Sequence, residues 1–137
     1  MKPKKWLVQE RLLDASALIA WYAEETGWEL VERQLQTSTA ISSSNLIEVI
    51  GKLVSSGKAP VNEVEADIKS LGLRIVPLIE TLVQPAAFFY ARRHPYQLSL
   101  GDCICLATAE GQQLEVLTAE QSWAKLPNLR CKVHLIR

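Results

Sequence analysis

Four carboxylates sit where the hydrophobic pattern changes period. Asp14 lies near the end of the apolar run Arg11-Leu12-Leu13-Asp14-Ala15, and Glu48 falls in the first helical turn after Thr39-Ala40-Ile41-Ser42. Asp102 opens the segment that begins at Ser99, and Glu120 follows Leu114-Glu115-Val116-Leu117-Thr118. Each has an ordinary structural use, because acids favour helix N-termini and Asn45-x-x-Glu48 and Ser99-x-x-Asp102 have capping-box spacing. Thr118 can likewise cap with Gln121, and Asp14 can cap the helix that follows it. Gathered into one cleft, the four acquire a different meaning. Carboxylates about 6 Å apart repel by about 3 kcal/mol per pair at an effective dielectric of 20. Such a cluster must be screened, protonated or neutralised by a cation. Hard oxygen ligands without a nearby His–Cys set favour Mg²⁺ or Mn²⁺. The matching chemistry is phosphodiester hydrolysis, in which metals activate water, orient the phosphate and stabilise the leaving oxygen.

Whether the acids meet depends on the elements that carry them, and strand and helix signals alternate along the whole chain. The first short strand precedes a helix through Ala17-Leu18-Ile19-Ala20-Trp21, and Trp28, Leu30, Val31 and Leu35 mark a second, amphipathic helix. Thr39–Ser42 is a strand, and Ser43-Ser44-Asn45 offer caps to a helix carrying Leu46, Ile47, Ile50, Leu53 and Val54. Ser55–Pro60 has turn composition; Val61 to Leu71 is a helix and Leu73–Val76 a third strand. A helix from Ile79 to Ala91 contains Pro85, and a basic loop, Arg92–Gln97, leads to a helix from Ser99 to Glu110 that Gly111 stops. Leu114–Thr118, a short helix from Ala119 to Lys125 and a last strand, Lys132–Ile136, complete the pattern. Strands separated by helices imply right-handed crossovers and an α/β fold with a mostly parallel sheet of about five strands, covered on both faces. Sites in such folds lie outside the carboxyl ends of the strands.

Composition sets the frame. A chain of 137 residues is expected to form one domain, 1–137, and 48% hydrophobic with 22% charged residues excludes disordered and low-complexity classes. Fifteen basic residues balance fifteen acidic ones, so any affinity for nucleic acid must come from local arrangement. No apolar window is long enough for a membrane span, and Met1–Glu10 breaks off before a signal-peptide core forms. The expectation is a cytoplasmic protein that makes no use of a membrane. Three cysteines cannot all pair, and Cys103 and Cys105 point to different helix faces with no second ligand pair, which implies reduced thiols rather than zinc.

Four segments also carry a resemblance. Leu12-Leu13-Asp14-Ala15-Ser16-Ala17-Leu18, Ser44-Asn45-Leu46-Ile47-Glu48-Val49, Leu98-Ser99-Leu100-Gly101-Asp102 and Leu117-Thr118-Ala119-Glu120-Gln121-Ser122-Trp123 resemble the successive motifs of PIN-domain ribonucleases, most closely the VapC-type toxins. The resemblance covers about residues 11–136, and four motifs in family order are far more specific than any one. It implies an α/β/α sandwich and Mg²⁺- or Mn²⁺-dependent endonucleolytic cleavage of RNA. It further implies a homodimer and inhibition by a cognate VapB-type antitoxin. By motif position Asp14, Glu48 and Asp102 become the core metal-binding acids, and Ser16 and Thr118 resemble the hydroxyls that orient them. Where the family commonly has Asp, this chain has Glu120, whose extra methylene can displace the carboxylate by over 1 Å and weaken a second metal position.

Arg92-Arg93-His94 lies a few residues before Asp102, so Arg92 and Arg93 can meet RNA phosphates while Tyr96 stacks on a base. A metal-activated water needs no separate base, so His94 has no catalytic assignment. Trp21, Trp28, Phe88, Phe89 and Trp123 read as core or interface. Two other functions compete. A non-catalytic PIN-like module binding RNA or protein would keep the fold without turnover. A phosphoacceptor receiver would need an adjacent acidic pair after the first strand and an acceptor after the third, where Ile75-Val76-Pro77 has none.

Overall fold

Five short strands run parallel in one sheet: β1 (Arg11–Leu13), β2 (Thr39–Ser42), β3 (Arg74–Val76), β4 (Glu115–Thr118) and β5 (Val133–Leu135), in the order β3-β2-β1-β4-β5. The computed structural model describes residues 9–57 and 59–137. The reading of Met1–Val8 and the place of Lys58 in the predicted turn lie outside the described residues.

Register explains why the central strands read as unbroken apolar runs. Leu13 pairs with Ile41 and Leu117, and Leu12 with Ala40 and Val116, so one row faces each side of the sheet and all six side chains are fully buried. Burying each larger aliphatic of these rows is worth about 1.5–3 kcal/mol. On the Leu13 side the core is closed by α1 (Ala15–Tyr22), α2 (Trp28–Leu35), α3 (Ser43–Ser55) and α4 (Val61–Lys69). On the Leu12 side it is closed by α6 (Leu100–Gln112) and Trp123, with α5 (Val83–Ala91) packed on α6. This is the expected three-layer α/β/α sandwich. Among the described residues no helix is long and apolar enough to cross a membrane.

The strand order carries functional information. The chain leaves β1 toward β2 and β3, then returns to build β4 and β5 on the other side, so the order reverses between β1 and β4. Parallel α/β sheets bind ligands at that switch point. Receiver-like folds have the order 2-1-3-4-5, which removes the phosphoacceptor reading.

Several local expectations need correction. The cap of α3 is Ser42, whose Oγ accepts the Asn45 N–H at 3.1 Å, so Asn45 lies inside the helix. The helix expected from Ile79 divides into a 3-10 turn, Glu80–Leu82, and α5; Pro85 therefore falls in the first turn of α5, where a missing N–H costs nothing. Gly111 does not stop α6, which runs to Gln112 and ends on Gln113 at φ 56°. One helical glycine costs only about 1 kcal/mol, less than the packing that α6 makes. Ala119 to Lys125 holds a 3-10 turn, Gln121–Lys125, and Thr118 caps no helix there. Gly27 is required at its place: φ is 94°, and a Cβ would run into the Ile136 carbonyl.

Candidate active site

Asp14 follows β1 directly and caps α1, because its extended backbone lets Oδ1 accept the Ala17 N–H at 2.9 Å. The side chain is 1% exposed. Ser16 Oγ reaches both carboxylate oxygens at 2.8 and 2.9 Å, and Thr118 Oγ1, at the end of β4, donates to Oδ2 at 2.7 Å. The two hydroxyls also take backbone donors from the β4 side: Ser16 accepts the Ala119 N–H and Thr118 the Glu120 N–H, each at 2.9 Å. The switch point is thus bound together by side chains from its two strands. Burial pushes the Asp14 carboxyl up to about 7 despite the lowering effect of Thr118, Ala17 and Ser16, and the charge of Asp102 adds to the rise.

Asp102 is the third residue of α6 and completes a reciprocal capping box. Its N–H donates to Ser99 Oγ at 3.1 Å, and its Oδ2 accepts the Ser99 N–H at 2.8 Å. Its carboxyl is raised by burial, against the lowering hydrogen bonds of Ser99, and raised further by the charges of Glu48 and Glu120. Glu48 projects from the first turns of α3, which approaches α6 at Gly101. A Cβ on Gly101 would stand 3.0 Å from Glu48 Oε1 and 3.3 Å from Asn45 Nδ2. Asn45, fully buried, donates Nδ2 to Glu48 Oε1 at 3.4 Å, while its Oδ1 is buried with no hydrogen-bond partner. Lys52 Nζ lies 2.9 Å from Glu48 Oε2. Glu120 is exposed on the loop after β4.

The structure therefore brings Asp14, Glu48 and Asp102 to the carboxyl edge of the sheet from three distant segments, with Glu120 at its margin. Mutual influence ties them together: Asp102 acts on Asp14, and Glu48 and Glu120 act on Asp102. Among the described residues no three His, Cys, Asp or Glu side chains form a ligand cage as they stand. Protein donors occupy the carboxylates instead: Ser16, Thr118 and Ala17 hold Asp14, Ser99 holds Asp102, and Lys52 with Asn45 holds Glu48. The donor set nevertheless fits a hard divalent cation. It is all oxygen, burial raises the Asp14 and Asp102 carboxyls with the charges of neighbouring acids adding to the rise, and the buried Asn45 Oδ1 lacks a donor.

Among the described residues neither arginine of the basic loop pairs with one of these acids. The Arg92 guanidinium stacks 3.7 Å over the Phe88 ring, and Arg93 lies 4.2 Å over Tyr90 with Nη1 donating to the Tyr90 carbonyl at 3.0 Å. Tyr96 is half-buried, and with Arg92, Phe88 and Phe89 it lines a cavity of about 510 Å³. All three cysteines are free thiols, and burial pushes Cys103 up to about 11. Sequence reasoning passes over Lys52, Gly101 and the buried face of Asn45. The spacing Glu48-x-x-x-Lys52 is the one available signal, and it is shared by ordinary surface ion pairs.

Comparison with known proteins bears on the fold and the family. A chain of a toxin–antitoxin complex from Klebsiella pneumoniae superposes with a TM-score of 0.68 at 22% identity, covering 93% of this chain and 98% of that chain. VapBC2 from Rickettsia felis, bound to a DNA fragment from its promoter, gives 0.68 at 17% identity over 92% and 99%. DNA-bound VapBC from Salmonella typhimurium gives 0.66 at 13% identity over 95% and 100%. At these identities the likeness concerns the fold. No curated protein matches the sequence. The sequence profile of the PIN domain does match, over residues 11–129, a span that contains all four acids and both strands of the switch point. With its sheet order and acidic edge, the chain belongs to the PIN domain family.

Proposed function

We propose that this chain is a VapC-type toxin, a Mg²⁺- or Mn²⁺-dependent endoribonuclease restrained by a VapB-type antitoxin in the cytoplasm. The observation that carries the reading is the buried Asp14 carboxyl at the switch point of a PIN fold, pushed up to about 7 by burial with the charge of Asp102 adding to the rise. Family membership and the toxin–antitoxin assemblies among structures of the same fold support it.

Asp14, Glu48 and Asp102 would hold the cation, with Glu120 as a weaker outer ligand. When bound, such an ion activates water for attack on a phosphodiester and stabilises charge on the leaving oxygen. The chain's own groups do the rest. Ser16 and Thr118 fix the orientation of the Asp14 carboxylate, which must be free of its proton to serve. Asn45 and Gly101 set how near Glu48 stands to α6. Arg92 and Arg93 supply positive charge for RNA phosphates and Tyr96 a ring for a base, beside the cavity on α5. Ile47 and Leu100, adjacent in sequence to Glu48 and Gly101, are 73% and 62% exposed, so the rim of the acidic cleft is apolar. A rim of that kind suits a protein partner, either the antitoxin or a second copy of the chain in a homodimer.

The test is cleavage of RNA by the purified chain free of antitoxin. Cleavage is expected with Mg²⁺ or Mn²⁺, lost in chelator, and lost in Asp14→Asn and Asp102→Asn while circular dichroism stays unchanged. Full activity in both variants would overturn the reading. Intact RNA with a metal-binding wild-type chain would favour the non-catalytic module instead.

A further inference from the structure

We infer that Lys52 is a built-in counter-ion of the acidic cleft, holding Glu48 where a divalent cation would otherwise hold it and competing with that cation for the cluster. The inference rests on the metal-dependent reading above and deepens it by naming what governs occupancy of the site.

Among the described residues two lysines pair with a glutamate one turn earlier. Lys52 reaches Glu48 at 2.9 Å from α3, and Lys69 reaches Glu65 at 3.3 Å from α4; both lysine side chains are 62% exposed. Spacing and exposure are alike, but surroundings are not. Glu48, the partner of Lys52, stands against α6, its Oε1 3.0 Å from where a Cβ on Gly101 would lie, so the pair borders Asp102. Lys52 is thus joined to the acidic cleft through Glu48, whereas the partner of Lys69 is none of its carboxylates. An ammonium is a compact point charge on a flexible stem, able to neutralise a cluster and to swing aside. While it holds Glu48 Oε2, that oxygen is not free to ligate, so an incoming cation must displace it. Without a cation, Lys52 offsets repulsion among carboxylates that would otherwise strain the edge of the sheet.

Lys52→Met keeps helix propensity and most of the stem while removing the charge. A unit charge at salt-bridge range shifts binding about fivefold even at the dielectric of water. By calorimetric titration with Mn²⁺, Lys52→Met is expected to bind about fivefold or more tightly than wild type. In chelator it is expected to melt at lower temperature, so that Mn²⁺ raises its melting point by more than it raises that of wild type. Lys69→Met should follow wild type in Mn²⁺ affinity, and Lys52→Arg should restore wild-type behaviour. Mn²⁺ affinity of Lys52→Met within twofold of wild type, or an equal change in Lys69→Met, would overturn the inference while leaving the metal site standing. Absence of Mn²⁺ binding in both wild type and Lys52→Met would overturn the inference together with the reading beneath it.

Discussion

Thr118 Oγ1 donates to Asp14 Oδ2 at 2.7 Å across 104 residues of chain and at the same time accepts the Glu120 N–H. Its single hydrogen is therefore committed to the acid at the centre of the site. Groups that hold a ligating side chain in this way typically change metal affinity by about 10–100-fold when removed. Thr118→Val and Ser16→Ala are each expected to weaken Mn²⁺ binding on that scale, as read by calorimetric titration, and to push the Asp14 carboxyl further up. Wild-type affinity in both variants would show that Asp14 is oriented by α1 alone.

Asp14 also makes stability depend on pH. Its carboxyl stands at about 7 in the folded chain against an ordinary 3.8. Between those values the folded state keeps a proton that the unfolded state has lost. Stability without divalent cation must therefore be greatest toward the acid end of that window and fall as pH rises to about 7. One group contributes a slope of up to about 1.4 kcal/mol per pH unit. Asp14→Asn, which cannot ionise, should lack that part of the slope in urea unfolding measured in chelator. Parallel curves for the two proteins would contradict the assignment.

Gly101→Ala should separate stability from activity. An alanine in the first turns of α6 gains up to about 1 kcal/mol in helix propensity. Its Cβ would stand 3.0 Å from Glu48 Oε1, the end of a side chain that can move aside. The expected outcome is a chain as stable as wild type or slightly more so, with RNA cleavage reduced by about 10²-fold, the scale of a 1 Å misplacement at a reacting centre. Thermal melting and cleavage rates on one preparation would check both signs.

Gly27→Ala should fail for a different reason. The residue precedes α2 at φ 94°, and the new methyl would run into the Ile136 carbonyl, backbone that cannot swing aside. A loss of more than about 1 kcal/mol is expected in denaturant unfolding, with Mn²⁺ affinity of the folded fraction unchanged.

The residues differ in how openly they announce these roles. Asp14 and Glu48 are legible because the change from strand to helix period places them at a carboxyl edge, and Ser99-x-x-Asp102 states its own local geometry. Asn45 misleads, since serine, threonine and asparagine caps are interchangeable by pattern and only backbone conformation selects Ser42. Gly111 misleads as well, because packing outweighs its weak preference for ending a helix. The adjacency of β1 and β4 is beyond local pattern altogether, since strand order is a long-range property; without it Thr118 reads as a helix cap rather than a partner of Asp14. Gly101 and Lys52 matter through neighbours on another helix, which no spacing within one segment reveals.

The order in which the sheet is assembled has a consequence during synthesis. Asp14 leaves the ribosome 104 residues before Thr118, and the hydroxyl and amide groups that complete its setting belong to β4 and the loop that follows it. A polypeptide cut short before Thr118 lacks the donors that β4 brings to Asp14, so this corner of the sheet cannot organise until the chain has grown past that strand.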